Sequence, residues 1–112
     1  MSGGRAPRQK SGREERMLVK LLQEAGFAAE RVPLSGSVGG SFTGDITVPV
    51  LGRDLVVESK VRAGGFAQLY AWLSGRDVLV VRADRCDPLV VVPLRLAIEI
   101  ASAAERNKGA EQ

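Results

Sequence analysis

The sequence predicts one mixed α/β domain, a central mixed β-sheet flanked by helices, with its elements in the order αβββαββα. Three observations lead there. Apolar residues recur at helical spacing in three separate stretches, short apolar runs of strand length lie between them, and turn-forming residues punctuate those runs. With 112 residues, of which 45% are apolar and 26% charged, the chain has the composition for one packed core and too little length for two.

Residues 1–10 carry Gly, Arg, Pro and Lys without periodicity, and are expected to form a flexible basic arm ahead of a domain spanning 11–104. Ser11 and Glu14 form a capping box that starts the first helix; Leu18, Leu21, Leu22 and Ala25 continue it, and Gly26 stops it. Phe27 to Val32 reads as a strand ended by Pro33, followed by a Gly/Ser-dominated loop from Ser35 to Gly44. Ile46 to Val50 and Asp54 to Val61 read as a hairpin turning at Leu51-Gly52-Arg53. Phe66, Leu69, Tyr70 and Leu73 mark a second helix that ends near Gly75. Val78 to Val81 and Leu89 to Val92 are apolar at every position, which implies strands buried on both faces. A last helix runs from Leu94 to Ala104, and residues 105–112 are expected to fray.

Charge and absences restrict the chemistry. The first twenty residues hold six bases and two acids, against an overall net charge of +3, so a basic end precedes a nearly neutral body. Such an end suits a polyanion such as nucleic acid, and equally a solvated terminus. The chain has no histidine, which excludes Ser-His-Asp and Cys-His catalysis and His-ligated zinc. Its single cysteine, Cys86, cannot form an intramolecular disulfide and sits in a polar turn with no base to activate it. No apolar run reaches the length of a membrane span and no apolar signal core precedes the domain, so the expectation is a soluble protein of the cytoplasm or another intracellular, DNA-associated setting.

The hairpin carries the candidate chemistry. Alternate residues of a strand share a face, so Glu58 and Lys60 point the same way. A turn symmetric about Gly52-Arg53 sets Asp45 opposite Lys60 and Thr47 opposite Glu58, which gathers Asp45, Glu58 and Lys60 on one face. Two carboxylates there can hold a hard cation such as Mg²⁺, whose bound water becomes a nucleophile, while the lysine offsets charge on a phosphoryl group. Taken alone, the same residues also read as an ordinary surface ion pair.

The wider pattern resembles the PD-(D/E)XK nuclease core: Glu15 on the first helix, Asp45 after the Gly/Ser loop, and Glu58-Ser59-Lys60 on the following strand. More closely, Ser11-Gly-Arg-Glu-Glu-Arg16, Gly26-Phe27, Arg31 with Ser35-Gly36-Ser37, Asp45 and Glu58-x-Lys60 resemble the archaeal-type Holliday-junction resolvases, over about residues 10–75. Gly44 stands where the superfamily's name has proline, and Ser59 where such strands usually carry an apolar residue. The resemblance implies a restriction-endonuclease-like fold and a catalytic set of Glu15, Asp45, Glu58 and Lys60. Mg²⁺, with Mn²⁺ as its substitute, would be held by Asp45 and Glu58 with help from the Ser59 carbonyl and Glu15. A helical wheel does not separate Glu14 from Glu15; capping occupies Glu14, and the resemblance maps the Glu-Arg pair onto Glu15-Arg16. The resemblance also gives a catalytic serine in the loop, matching Ser35 or Ser37, whose hydroxyls can equally donate to phosphates. Arg13, Arg16, Arg31 and Arg62 complete the expected DNA-binding set, although solvated arginines would look the same in sequence.

The expected function is metal-dependent, structure-selective endonucleolytic cleavage of four-way DNA junctions by paired symmetric nicks. The alternatives are a related small nuclease acting on flaps, nicks or duplex DNA, and a non-catalytic nucleic-acid-binding module of the same fold. Three helices must cover five apolar strands, so a homodimer is expected to supply the missing cover, with two sites for the two strands to be cut.

Overall fold

The computed structural model describes residues 6–32 and 45–110, with side-chain surroundings for 12–32 and 46–108. Ser35, Ser37 and the first five residues of the expected arm lie outside the described residues. The elements run α1 (Ala6–Glu24), β1 (Glu30–Arg31), β2 (Asp45–Val50), β3 (Arg53–Glu58), α2 (Ala67–Leu73), β4 (Leu79–Val81), β5 (Leu89–Val91) and α3 (Leu94–Ala110).

The first helix begins earlier than its caps suggest. It starts at Ala6, so Ser11 is interior and the capping box with Glu14 does not form. Pro7 explains the longer start, because the first turn of a helix is where proline's missing N–H and fixed φ cost nothing. The other end closes as the sequence indicates. Gly26 takes a positive φ of 101°, the Phe27 N–H reaches back to the Leu22 carbonyl at 3.0 Å and the Gly26 N–H to that of Gln23 at 3.0 Å. This is a Schellman closure, and its hydrophobic clasp is the packing of Leu22 against the core around Phe27.

The sheet is not one mixed sheet. Three strands form an antiparallel meander in the order β1-β2-β3, and β4 pairs with β5 antiparallel in a separate two-stranded sheet. The first strand is also only two residues long, because Phe27 belongs to the helix closure and, with Ala29, packs into the core. The hairpin register differs from the expected one by two residues: Asp45 stands opposite Glu58, Ile46 opposite Val57 and Thr47 opposite Val56. The cause is the turn. Leu51 (φ 54°) and Gly52 (φ 80°) are both left-handed, as in a two-residue type I′ connection, so the turn centres on Leu51-Gly52 instead of Gly52-Arg53.

Alternation along β2 builds the core on one side of the meander. Ile46 is fully buried and Val48 nearly so, beside Phe27 and Ala29. Leu18, Val19 and Leu22 of α1, Val57 of β3 and Ala101 of α3 pack around them. The last helix does not fray at 105. The Leu51 N–H donates to the Glu105 carboxylate, and Lys108, in the last turn, complements the helix dipole. That tie anchors α3, which continues to Ala110, to the hairpin turn.

The second sheet departs most from expectation. Runs that are apolar at every position implied burial on both faces, yet Val80 is 59% and its cross-strand partner Val90 63% exposed. One face of β4–β5 is partly covered through Leu79 and Val91 and the other is open. The described residues supply cover for one side only.

Candidate active site at the end of the hairpin

The far end of the β2–β3 hairpin, away from its turn, is where the candidate residues converge. Register sets Asp45 directly opposite Glu58. β3 ends at Glu58, so Lys60 is not a strand partner of Asp45 as the symmetric turn would have made it. Lys60 reaches the site through its side chain instead: its Nζ lies 2.8 Å from Glu58 Oε2, with both side chains 56% exposed. A pair this exposed adds little to stability. Ser59, half-buried between them, lies just past the strand end.

Glu15 is placed differently. It is the buried charged residue of the described core, 3% exposed, and Arg31 of β1 holds it. Arg31 Nε donates to Glu15 Oε1 at 3.0 Å and Arg31 Nη2 lies 2.8 Å from the same oxygen. Arg31 stands opposite Ile46 in the register and so shares the helix-covered face, whereas Glu58 alternates with Val57 and lies on the other face. The two carboxylates therefore approach from opposite faces of the sheet, at the same end of it: Ile46 is the neighbour of Asp45. Among the described residues no three His, Cys, Asp or Glu side chains come together as a metal cluster.

Glu14, which the sequence pattern assigns to a cap, has another place. It is half-buried and lines a concavity of about 250 Å³ together with Lys60, Arg62, Phe66 and Tyr70. The helical wheel does not separate it from Glu15, because both sit at the edge of the apolar stripe of α1, and the capping pattern that set it apart is not used. The arginines divide. Arg13 and Arg16 are exposed on α1, Arg62 is exposed and donates to the Val61 carbonyl at 3.1 Å, and Arg31 is engaged by Glu15. Ser35 and Ser37 lie outside the described residues.

The donors at the hairpin end fit a hard cation. Glu58, Asp45 and the Ser59 carbonyl offer oxygen alone, no histidine exists in the chain, and Cys86 is an exposed thiol in the turn before β5. An all-oxygen set suits Mg²⁺ or Mn²⁺ and not zinc or copper.

Among known proteins, the chain matches the family described as archaeal Holliday junction resolvase (Hjc) over residues 6–87, from the start of α1 through β4. No curated protein and no solved structure matches it. Among the described residues no helix is long and apolar enough to cross a membrane.

Proposed function

Because the chain belongs to the archaeal Holliday junction resolvase family, we propose that it is a metal-dependent endodeoxyribonuclease that resolves four-way junctions by paired symmetric nicks. The observation that carries the reading is the pairing of Asp45 opposite Glu58 with Lys60 bonded to Glu58, inside the span that matches the family. A binding module has no use for two carboxylates beside a phosphate, because they repel it. A hydrolase does.

In this reading Asp45 and Glu58 would hold Mg²⁺, or Mn²⁺ in its place, with the Ser59 carbonyl assisting and Glu15 reaching the same end of the sheet from its other face. The ion would supply a bound water of lowered pKa and polarise the scissile phosphoryl oxygen. Lys60, 2.8 Å from Glu58 Oε2, would orient the attacking water and offset the charge that develops on the phosphate. Arg13, Arg16 and Arg62, all exposed, track the DNA backbone, and the loop serines Ser35 and Ser37 contact phosphate. Acting on DNA, the protein would work inside the cell.

Paired nicks need two sites, and the proposed assembly is a two-fold homodimer. Val80 and Val90 form an open apolar face. On the other face of β4–β5, Leu69, Tyr70 and Leu73 of α2 meet Val91 and Val92 around an apolar concavity of about 420 Å³. A second copy covers the open Val80–Val90 face.

The test is incubation of the purified protein with a labelled four-way junction, with and without Mg²⁺. Symmetric paired nicks are expected in Mg²⁺ and none in excess chelator. Glu58→Gln should keep junction binding and lose cleavage by a factor on the order of 10² or more, since it removes a ligand charge and keeps the shape. Cleavage that persists in chelator would overturn the metal mechanism. Equal cutting of linear duplex would replace junction resolution with general nuclease activity.

A further inference from the structure

Arg31 lies at the edge of the proposed site and has the chemistry of a phosphate contact. Its geometry says otherwise. Two of its donors, Nε at 3.0 Å and Nη2 at 2.8 Å, converge on one oxygen of Glu15. The burial of the pair is unequal: the Glu15 side chain is 4% exposed and that of Arg31 42%. A polar group that deep needs a hydrogen-bond partner, and a cation already committed to it is a poor ligand for a passing phosphate.

From this geometry we infer that Arg31 is a positioning residue that acts through Glu15. It anchors Oε1 and thereby fixes the direction in which Oε2, which takes no part in the ion pair, can be offered. The placement favours that role. Arg31 is held in register opposite Ile46, one step along β2 from Asp45, so the bridge fixes α1 to β1, the strand paired with the one that carries a proposed metal ligand. Lysine could not do the same work, because a single ammonium lacks the planar fork that locks orientation. The inference rests on the proposed nuclease reading for its catalytic consequence, and on the ion pair alone for its structural one.

The experiment is a double-mutant cycle on the full chain with Arg31→Gln, Glu15→Gln and the double variant, plus Arg31→Lys. Three readouts are taken: junction Kd and its salt slope in chelator, thermal midpoint, and single-turnover cleavage in Mg²⁺. Arg31→Gln should leave Kd and salt slope unchanged, lower the midpoint, and slow cleavage at saturating junction by about 10²-fold, the loss typical of a misplaced group. Arg31→Lys should recover part of that rate. The double variant should be no slower than Glu15→Gln alone, and its midpoint should fall by less than the two single shifts combined.

A salt slope reduced by about one in Arg31→Gln, with weaker binding, would make Arg31 a phosphate contact and overturn the inference. So would rate losses that multiply in the double variant. Should the wild type cleave no junction at all, the nuclease reading falls, while the binding slope and the thermal cycle still decide whether Arg31 serves Glu15 or DNA. If Arg31→Gln fails to fold, Arg31→Lys and Glu15→Gln carry the same comparison, and an Arg31→Lys variant with altered salt slope and normal rate would refute the role.

Discussion

Val80→Asp is the sharpest probe of the assembly. Val80 and Val90 face each other across β4 and β5 and are 59% and 63% exposed in the single chain. Fully burying a valine is worth about 1.5–2 kcal/mol, so covering the exposed part of Val80 contributes about 1 kcal/mol. An aspartate there forfeits that gain and costs at least about 2 kcal/mol for the desolvated carboxylate. A two-fold axis applies the change twice, for about 6 kcal/mol, or roughly 10⁴-fold in dimer affinity. A dimer of about 1 nM would become one of about 10 µM. Sedimentation equilibrium below that concentration should give the wild type at twice the 11.9 kDa chain mass and the variant at the chain mass. Circular dichroism should not change, because the isolated fold already leaves Val80 in solvent. The variant should also cut one strand of a junction where the wild type cuts two. A Val80→Asp protein that sediments as the wild type does would refute the placement of the interface, and a monomeric wild type would refute the dimer.

Two further outcomes test the hairpin and the basic end. Gly52→Ala should destabilise the fold by about 1–2 kcal/mol, the cost of an L-residue in a left-handed conformation, since its φ is 80°; the added Cβ would stand 3.2 Å from Lys108 Nζ, a flexible end that can swing away. A denaturant midpoint unchanged in Gly52→Ala would contradict the turn type, and with it the register of Asp45 against Glu58. Replacing Arg8, Lys10 and Arg13 by glutamine, all on the first half of α1, should flatten the dependence of log Kd on log salt by about 0.9 for each phosphate no longer neutralised. An unchanged slope would make this end of the chain a solubilising segment.

Sequence and structure diverge for identifiable reasons. The helix end at Gly26 was legible because only a residue that tolerates positive φ closes a Schellman motif cheaply, and Phe27 supplied the clasp. The helix start was not, because Ser11 and Glu14 satisfy a capping pattern that the chain does not use; Pro7 was the better signal. The hairpin was legible and its register was not, since Leu51 is a poor advertisement for the left-handed position it occupies. The mismatch is harmless to the site because it is even: a shift of two residues changes partners and keeps faces. The partner of Glu15 had no signal at all. A buried acid needs a cation, but nothing in the order of residues says that the cation lies sixteen positions away on a two-residue strand. The open face of β4–β5 is the opposite case. Its continuous apolar pattern demands cover on two sides, and the described residues meet that demand on one.

The hairpin divides its labour by parity. On β2, Ile46 and Val48 point into the helices and carry the core; on β3, Val57 does the same beside Glu58. The core and the proposed chemistry thus sit on neighbouring residues of the same two strands, one backbone step apart. Four apolar residues among those described are buried in the core, and a one-residue slip would exchange the two sets. Three devices oppose it: the left-handed pair Leu51-Gly52 sets the count, the Glu105 carboxylate of α3 on the Leu51 N–H pins the turn, and the Arg31–Glu15 bridge ties β1, the neighbour of β2, to α1. Substitutions along β2 and β3 should therefore alternate in what they damage. Those at Ile46, Val48 and Val57 should lower the melting temperature and carry activity down with it, while those at Asp45 and Glu58 should leave the melting temperature in place and remove cleavage alone.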